Sequence, residues 1–244
     1  MHEQIGEHPV WHLPLLGTVH SDTVLTTWIV MLVTLPLFAW IGMSYRSARV
    51  NKRQTLVEGV INYFADLAHG SIGKRGEPYV PFFVALVVFI FLLNEFGSFP
   101  LKTFALPFGG SPTADINTAA ALAVLVFFTI QISGIVKNHG IGFYKHLFQP
   151  YAPMVVINVL EEVLRPTTLA ARLFFNIFVG ELLLVVVATI IEGKLKIGPF
   201  DLSLAASVAP FFVEAFNFLV GILQAFIFGL LSIVYLSLAL ADEH

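Results

Sequence analysis

The chain contains no cysteine, so it cannot build a disulfide framework, a thiolate metal site or a cysteine nucleophile. It is also poor in charge: Asp, Glu, Lys and Arg together make up 12% of its 244 residues, about half the share of an ordinary soluble domain. A soluble fold of this length could bury a large core but would lack the charges to cover it. The formal net charge of −3 carries no general basic character and gives no reason to expect a nucleic-acid partner. No G-x-x-x-x-G-K-[ST] run is present, so no nucleotide is expected to bind this chain.

Histidine is missing from the long apolar segments, because all eight lie in flanks or loops. A histidine relay across a membrane is therefore excluded, and carboxylates with amides must carry any proton path. His2, His8, His12 and His20 are scattered through the N-terminal stretch at spacings that fit no helical or hairpin ligand pair. Neither a metal nor a cofactor is expected. Residues 1–22 also lack Lys, Arg and a short apolar core, which argues against a signal peptide.

What the chain does have is hydrocarbon: 57% of residues are hydrophobic, and mean hydropathy is +0.84. The expected class is an all-α polytopic membrane protein, with residues 23–244 as a single membrane domain after an external segment 1–22. A first span over 23–45 is followed by Arg46, Arg49, Lys52 and Arg53. The positive-inside rule places that end in the cytoplasm and the N-terminus outside. Residues 54–76 repeat Leu56, Val60, Tyr63, Phe64 and Leu67 at helical spacing, as expected of an amphipathic helix on the cytoplasmic surface. Spans over 80–98 and 115–136 flank an external loop, 99–114. Of the thirteen basic residues, nine flank the inner side and three the outer, which leaves only Arg172 in the membrane.

The last two segments, 151–192 and 200–241, are each roughly 60 Å long as helices, about twice the hydrocarbon thickness. Either they break, at Pro166 and Pro210, or they lie far from the membrane normal. Ordinary tilts of about 20° do not absorb such an excess. The expectation is about five membrane-embedded helices, the last two very long and steeply tilted as a hairpin. No internal repeat is visible.

A charge in mid-membrane costs about 2.5–3.5 kcal/mol on insertion scales, so such a residue faces protein or water and is a functional candidate. The bland account of Arg172 is snorkelling, but apolar residues from Tyr151 onward place the helix start earlier and Arg172 deeper. Asn176, four residues on, shares its face. Glu181, nine residues on, falls about half a turn out of phase, so the two charges serve different surfaces. Burial could keep Glu181 neutral, which for a proton-handling group is nearly the function itself. The final segment carries a polar stripe of Ser203, Ser207, Glu214, Asn217, Gly221 and Gln224 at spacings of mostly three, four and seven. Helix–helix hydrogen bonding accounts for the serines; Glu214 is better read as lining water. Glu161 and Glu162 beside Arg165 read as an interfacial charge cluster, and Asn94 and Glu95 sit near the outer end of their span.

At "RPTTLAARLFFNIFVGELLL" and "LVGILQAFIFGLLSIVYLSLALADEH" the chain resembles subunit a of the F-type ATP synthases. "PTADINTAAALA", "INVLEEVLRP" and "NEFGSFP" look like further family segments, and the match runs in order from about Val80 to the C-terminus. The resemblance implies a non-catalytic stator in a bacterial inner membrane, with c-ring proteolipids, peripheral-stalk b subunits and lipid as partners. It implies that Arg172 is the stator arginine between two aqueous half-channels that reach the ring carboxylates. Asn176, Glu181 and Gln224 match polar positions of the family, and Asp115 and Asn117 fall in its Asp-x-Asn loop. Two departures stand out: Phe175 replaces a usual Gly, and Asn217 stands where some members have a histidine, whose role Glu214 is placed to take. The rival classes are a self-contained secondary transporter, which predicts inverted repeats, and a structural scaffold, which leaves Arg172, Glu181 and Glu214 unexplained.

Overall fold

A computed structural model describes residues 10–13, 17–44, 52–97, 111–137, 143–144, 148, 151–191 and 203–240. His2, His8, Arg46, Arg49, Lys102, His139, Lys145, His146, Lys194 and Lys196 lie outside these residues, as do the side chains of Arg53, Ser203 and Ser207. Two short antiparallel strands, β1 (Val10–Leu13) and β2 (Gly17–His20), open the described chain and pair Val10 with His20. This hairpin is an addition to the all-helical expectation. Six helices follow: α1 (Ser21–Ser44), α2 (Lys52–Ile72), α3 (Val80–Phe96), α4 (Ile116–Lys137), α5 (Val155–Ile191) and α6 (Ser203–Leu240). Among the described residues, five segments are long and apolar enough to cross a membrane; the second of them runs through α2 and α3 together.

α5 and α6 are unbroken, at 37 and 38 residues, although Pro166 and Pro210 lie inside them. Breakage is thereby removed as the answer to their length. Proline lacks an N–H and frees a carbonyl one turn back, and membrane helices tolerate this when nearby hydroxyls satisfy the backbone. Beside Pro166, Thr167 donates to the Val163 carbonyl at 2.7 Å and Thr168 to the Arg165 carbonyl at 3.0 Å, back-bonds within the helix that do not reach the Glu162 carbonyl freed by the proline. α1 likewise runs uninterrupted through Pro36.

α3 is the middle of the bundle. Phe83, Ile90 and Leu93 on it are fully buried, packed in one cluster with Leu169 and Leu173 of α5 and Phe228, Ile233 and Leu236 of α6. In lipid the hydrophobic effect does not drive helices together, so the fit of these side chains does. α6 packs on both α5 and α3, and α4 packs on α5. Their far ends are tied by Lys137, whose Nζ donates to the Leu240 carbonyl at 2.6 Å. Phe64 and Ala68 of α2 join the same cluster, while Val60, Ile61 and Tyr63 of that helix stay exposed.

Candidate functional site

Glu181 is half-buried on α5 and faces the junction where α3 ends and α4 begins. The Ser111 N–H reaches Glu181 Oε1 in a long contact of 3.5 Å, and the Ser111 hydroxyl donates to the Leu93 carbonyl at 3.2 Å. That hydroxyl also lies 2.6 Å from Thr113 Oγ1, and Thr113 donates to Asn94 Oδ1 at 2.7 Å. Asn94 in turn donates to the Gly221 carbonyl of α6 at 3.2 Å. The network therefore joins α3, the turn before α4, α5 and α6. In an apolar setting each of these polar groups would be costly if left alone.

Beside this network is a cavity of about 40 Å³, lined among others by Asn94, Ser111, Asn176, Glu181, Glu214 and Asn217. It is large enough for a water, and its polar side chains offer such a water partners. Two carboxyl groups and three amides around one space form a set that can accept, hold and release protons. Gly180 suits this geometry: a Cβ there would lie 2.5 Å from Asn217 Oδ1, so a larger residue would have to displace that amide. Among the described residues no group of three or more His, Asp or Glu is arranged to hold a metal.

Arg172 is exposed and, among the described residues, makes no ion pair or side-chain hydrogen bond. One turn on, Asn176 donates to Oε1 of Gln224 at 2.6 Å, and Gln224 is 2% exposed. Asn176 is thus exposed on the side of Arg172 while also bordering the cavity, a bridging position that helical phase alone does not specify. The surroundings are apolar: Phe175, Val179, Leu182 and Leu183 of α5 are exposed, as are Phe216, Leu219, Ile222 and Leu223 of α6. Phe175 is 57% exposed and meets Phe174 edge-on at 5.2 Å, so its bulk is carried on the outer face.

The remaining sequence candidates fall elsewhere. Arg165 pairs with Glu162 at 3.0 Å and, more loosely, with Glu161 at 3.9 Å, and its guanidinium lies 5.8 Å from the Tyr235 ring centre. Gln131 of α4, buried and not singled out by the sequence, donates to the other Glu162 oxygen at 3.0 Å. Asp115 caps α4, accepting from the Asn117 N–H at 2.9 Å and from the Asn117 side chain at 3.0 Å. Its second oxygen lies 2.6 Å from Nδ1 of His20. Asp115 and Asn117 therefore border a separate groove beside β2 and α1 and do not line the Glu181 cavity. Ser111 and Thr113, central to the network, were also missed. They sit in a Pro- and Gly-rich loop, and a lone hydroxyl there carries no periodic signal.

The fold and site define a polytopic helical membrane protein in which an exposed arginine lies one turn from an asparagine that borders a cavity lined by two carboxyl groups. The model of the family "ATP synthase A chain" matches residues 24–237. The chain is 34% identical over 236 residues to ATP synthase subunit a of Desulforamulus reducens, covering 96% of this chain and 84% of that one. It is 36% identical over 202 residues to ATP synthase subunit a of Aquifex aeolicus, covering 81% and 88%. The chain belongs to the ATP synthase A chain family.

Proposed function

We propose that this chain is the proton-translocating stator subunit of a rotary F-type ATP synthase, a non-catalytic part of the membrane sector. Two half-channels lead protons to and from the carboxylates of a c-ring, and Arg172 separates them. Glu181, Glu214 and Asn217 line the hydrated access path, with Asn94, Glu95, Asp115 and Asn117 as supporting polar groups on that side. Asn176 and Gln224 hold the boundary, and Glu161 and Glu162 sit at the opposite entrance. The N-terminus is outside and the C-terminus cytoplasmic, α2 lies along the cytoplasmic surface, and α5 with α6 lie steeply inclined against the ring. Peripheral-stalk b subunits hold the chain in place.

The observation that carries this reading is the state of Arg172. An exposed, permanently charged guanidinium with no anion beside it among the described residues, set on an apolar face, requires an anion from another molecule. A ring carboxylate passing that face would meet the requirement and would give up its proton to do so. Protons then cannot leak past, because the cation disfavours a positive charge at its own position. Moving one charge through 100 mV yields about 2.3 kcal/mol, so several protons must pass per ATP, and a rotating ring accumulates such steps.

The test is to purify the complex, look for a proteolipid ring, and measure ATP-driven proton pumping in membrane vesicles. Arg172→Ala is expected to leave assembly intact and to abolish pumping. Normal coupled pumping by an assembled Arg172→Ala complex would overturn the reading, and ion transport by the isolated chain in liposomes would favour a self-contained transporter.

A further inference from the structure

Where the β1–β2 hairpin meets the first turns of α1 and α4, the described protein has a groove of about 490 Å³, far larger than the cavity beside Glu181. α1 packs on α3 and on the turn Pro112–Ala114, and the groove lies between it and α4. Small side chains hollow it, Thr23 and Thr27 on one wall and Ala121 on the other. The Thr27 hydroxyl donates to the Thr23 carbonyl at 2.7 Å, so that wall is satisfied within its own helix. From Ala121 an exposed stripe continues along α4 as Leu125 and Phe128, and from Trp28 another continues along α1 as Leu32 and Leu35. In a membrane-spanning chain these stripes meet acyl chains, and the groove is continuous with them.

Depth decides what fills it. Trp28 lies about 10 Å along the axis from Ser21, where α1 starts, and Ala121 about 8 Å from Ile116, where α4 starts. The headgroup zone on each side of a bilayer is about 5–8 Å thick, so the groove crosses that zone and reaches the first carbons of the chains. Trp28, 60% exposed at the deeper end, is of the residue type enriched at this level. Polarity is graded the same way, from His20, Asp115 and Asn117 at the helix starts to Val24, Trp28 and Ala121 below. No Lys or Arg lines the groove; its charges are one imidazole and one carboxylate, 2.6 Å apart. An anionic headgroup therefore meets no permanent cation, whereas a headgroup carrying both signs is matched. A carboxylate offers about four acceptor positions. Asn117 takes two of those on Asp115, through its N–H and its side chain, and His20 takes a third. The fourth suits an ammonium N–H, which a quaternary ammonium lacks.

We propose that this groove binds one phospholipid with a zwitterionic, primary-amine headgroup, drawn from the leaflet on the side of the β1–β2 hairpin. The ammonium donates to Asp115, the phosphate lies toward His20 and the Thr118 hydroxyl, and the chains leave past Ala121 and Trp28 into the bilayer. Seated there, the lipid joins the hairpin to α1 and α4 across a gap that their own side chains do not fill. The inference needs α1 and α4 to span a membrane and does not depend on the ion path.

The experiment strips the detergent-purified full chain of lipid and measures, by native mass spectrometry, its binding of phosphatidylethanolamine, phosphatidylcholine and phosphatidylglycerol with identical chains. One phosphatidylethanolamine is expected to bind at least about tenfold more tightly than either of the others. Ala121→Trp, which fills the deep end of the groove, should weaken that binding at least about tenfold. Asp115→Asn should reduce the preference over phosphatidylcholine. Should Asp115→Asn fail to fold, the wild-type comparison and Ala121→Trp decide. In whole complexes in native membranes, a photoreactive benzophenone side chain in place of Trp28 is expected to label phospholipid. The inference is overturned if the wild-type chain shows no preference for phosphatidylethanolamine, or if Ala121→Trp binds it as tightly as wild type. It is equally overturned if the benzophenone labels another protein and no lipid, since a partner helix would then cover the groove.

Discussion

Among single residues, Asn176 is the one whose position the sequence could state only in part. Helical phase puts it on the face of Arg172, and it is indeed exposed there, yet its amide is spent on Gln224 at 2.6 Å. Replacing it with Ala removes the partner of Gln224 Oε1 and leaves a buried amide, already unpartnered at Nε2, with no bond at either end. The expected cost is about 1–3 kcal/mol, read as a lower unfolding temperature of the detergent-purified chain, together with slower pumping by the assembled complex. An unchanged unfolding temperature would mean that the Asn176–Gln224 bond contributes nothing. Arg172, Glu181 and Glu214 were legible because an ionisable group in a hydrocarbon run is conspicuous. Ser111, Thr113 and Gln131 were not, because small or neutral polar side chains are common in both loops and helices. Only the arrival of Asn94 and Glu162 beside them reveals their use.

At the scale of the helix, two comparisons follow. Gly180 leaves room for the Asn217 amide against α5, so Gly180→Val should displace that amide and lower assembly or pumping, measured by co-purification and by vesicle acidification. Normal yields and rates would show that the interface repacks easily. At the other end of α5, Glu162 is 16% exposed and held by Arg165 and Gln131, whereas Glu161 is 61% exposed and 3.9 Å from the same cation. Exposed pairs are worth about 0–1 kcal/mol, and breaking a mostly buried one costs more. Glu162→Ala is therefore expected to lower thermal stability clearly and Glu161→Ala hardly at all, with equal effects counting against the network. About five helices apolar enough to span a membrane were readable from apolar run length, since lipid forces backbone groups to pair within each segment. The β1–β2 hairpin was not: four-residue strands leave too little pattern, and Asp115 reaching His20 depends on a contact across 95 positions of sequence.

For the whole molecule, orientation is the property that composition argues most directly, through nine basic residues on one side and three on the other. The absence of native cysteine makes this simple to check. Trp11→Cys, at an exposed position of β1, should react with a membrane-impermeant maleimide added outside right-side-out vesicles. Reaction only in inverted vesicles would reverse the orientation and, with it, the assignment of inlet and outlet. The two long helices were legible as too long for the bilayer, but whether they broke at Pro166 or Pro210 could not be read from the residues.

The open guanidinium of Arg172 has one more consequence. A contact surface of phenyl and aliphatic groups offers little directional grip, so a partner can slide across it with similar energy at many registers. On the function proposed above, one fixed charge would break that evenness once per passing subunit. Such a surface would behave like a bearing with a single detent: it would set the step of the motion without locking it, and would be unchanged after each step.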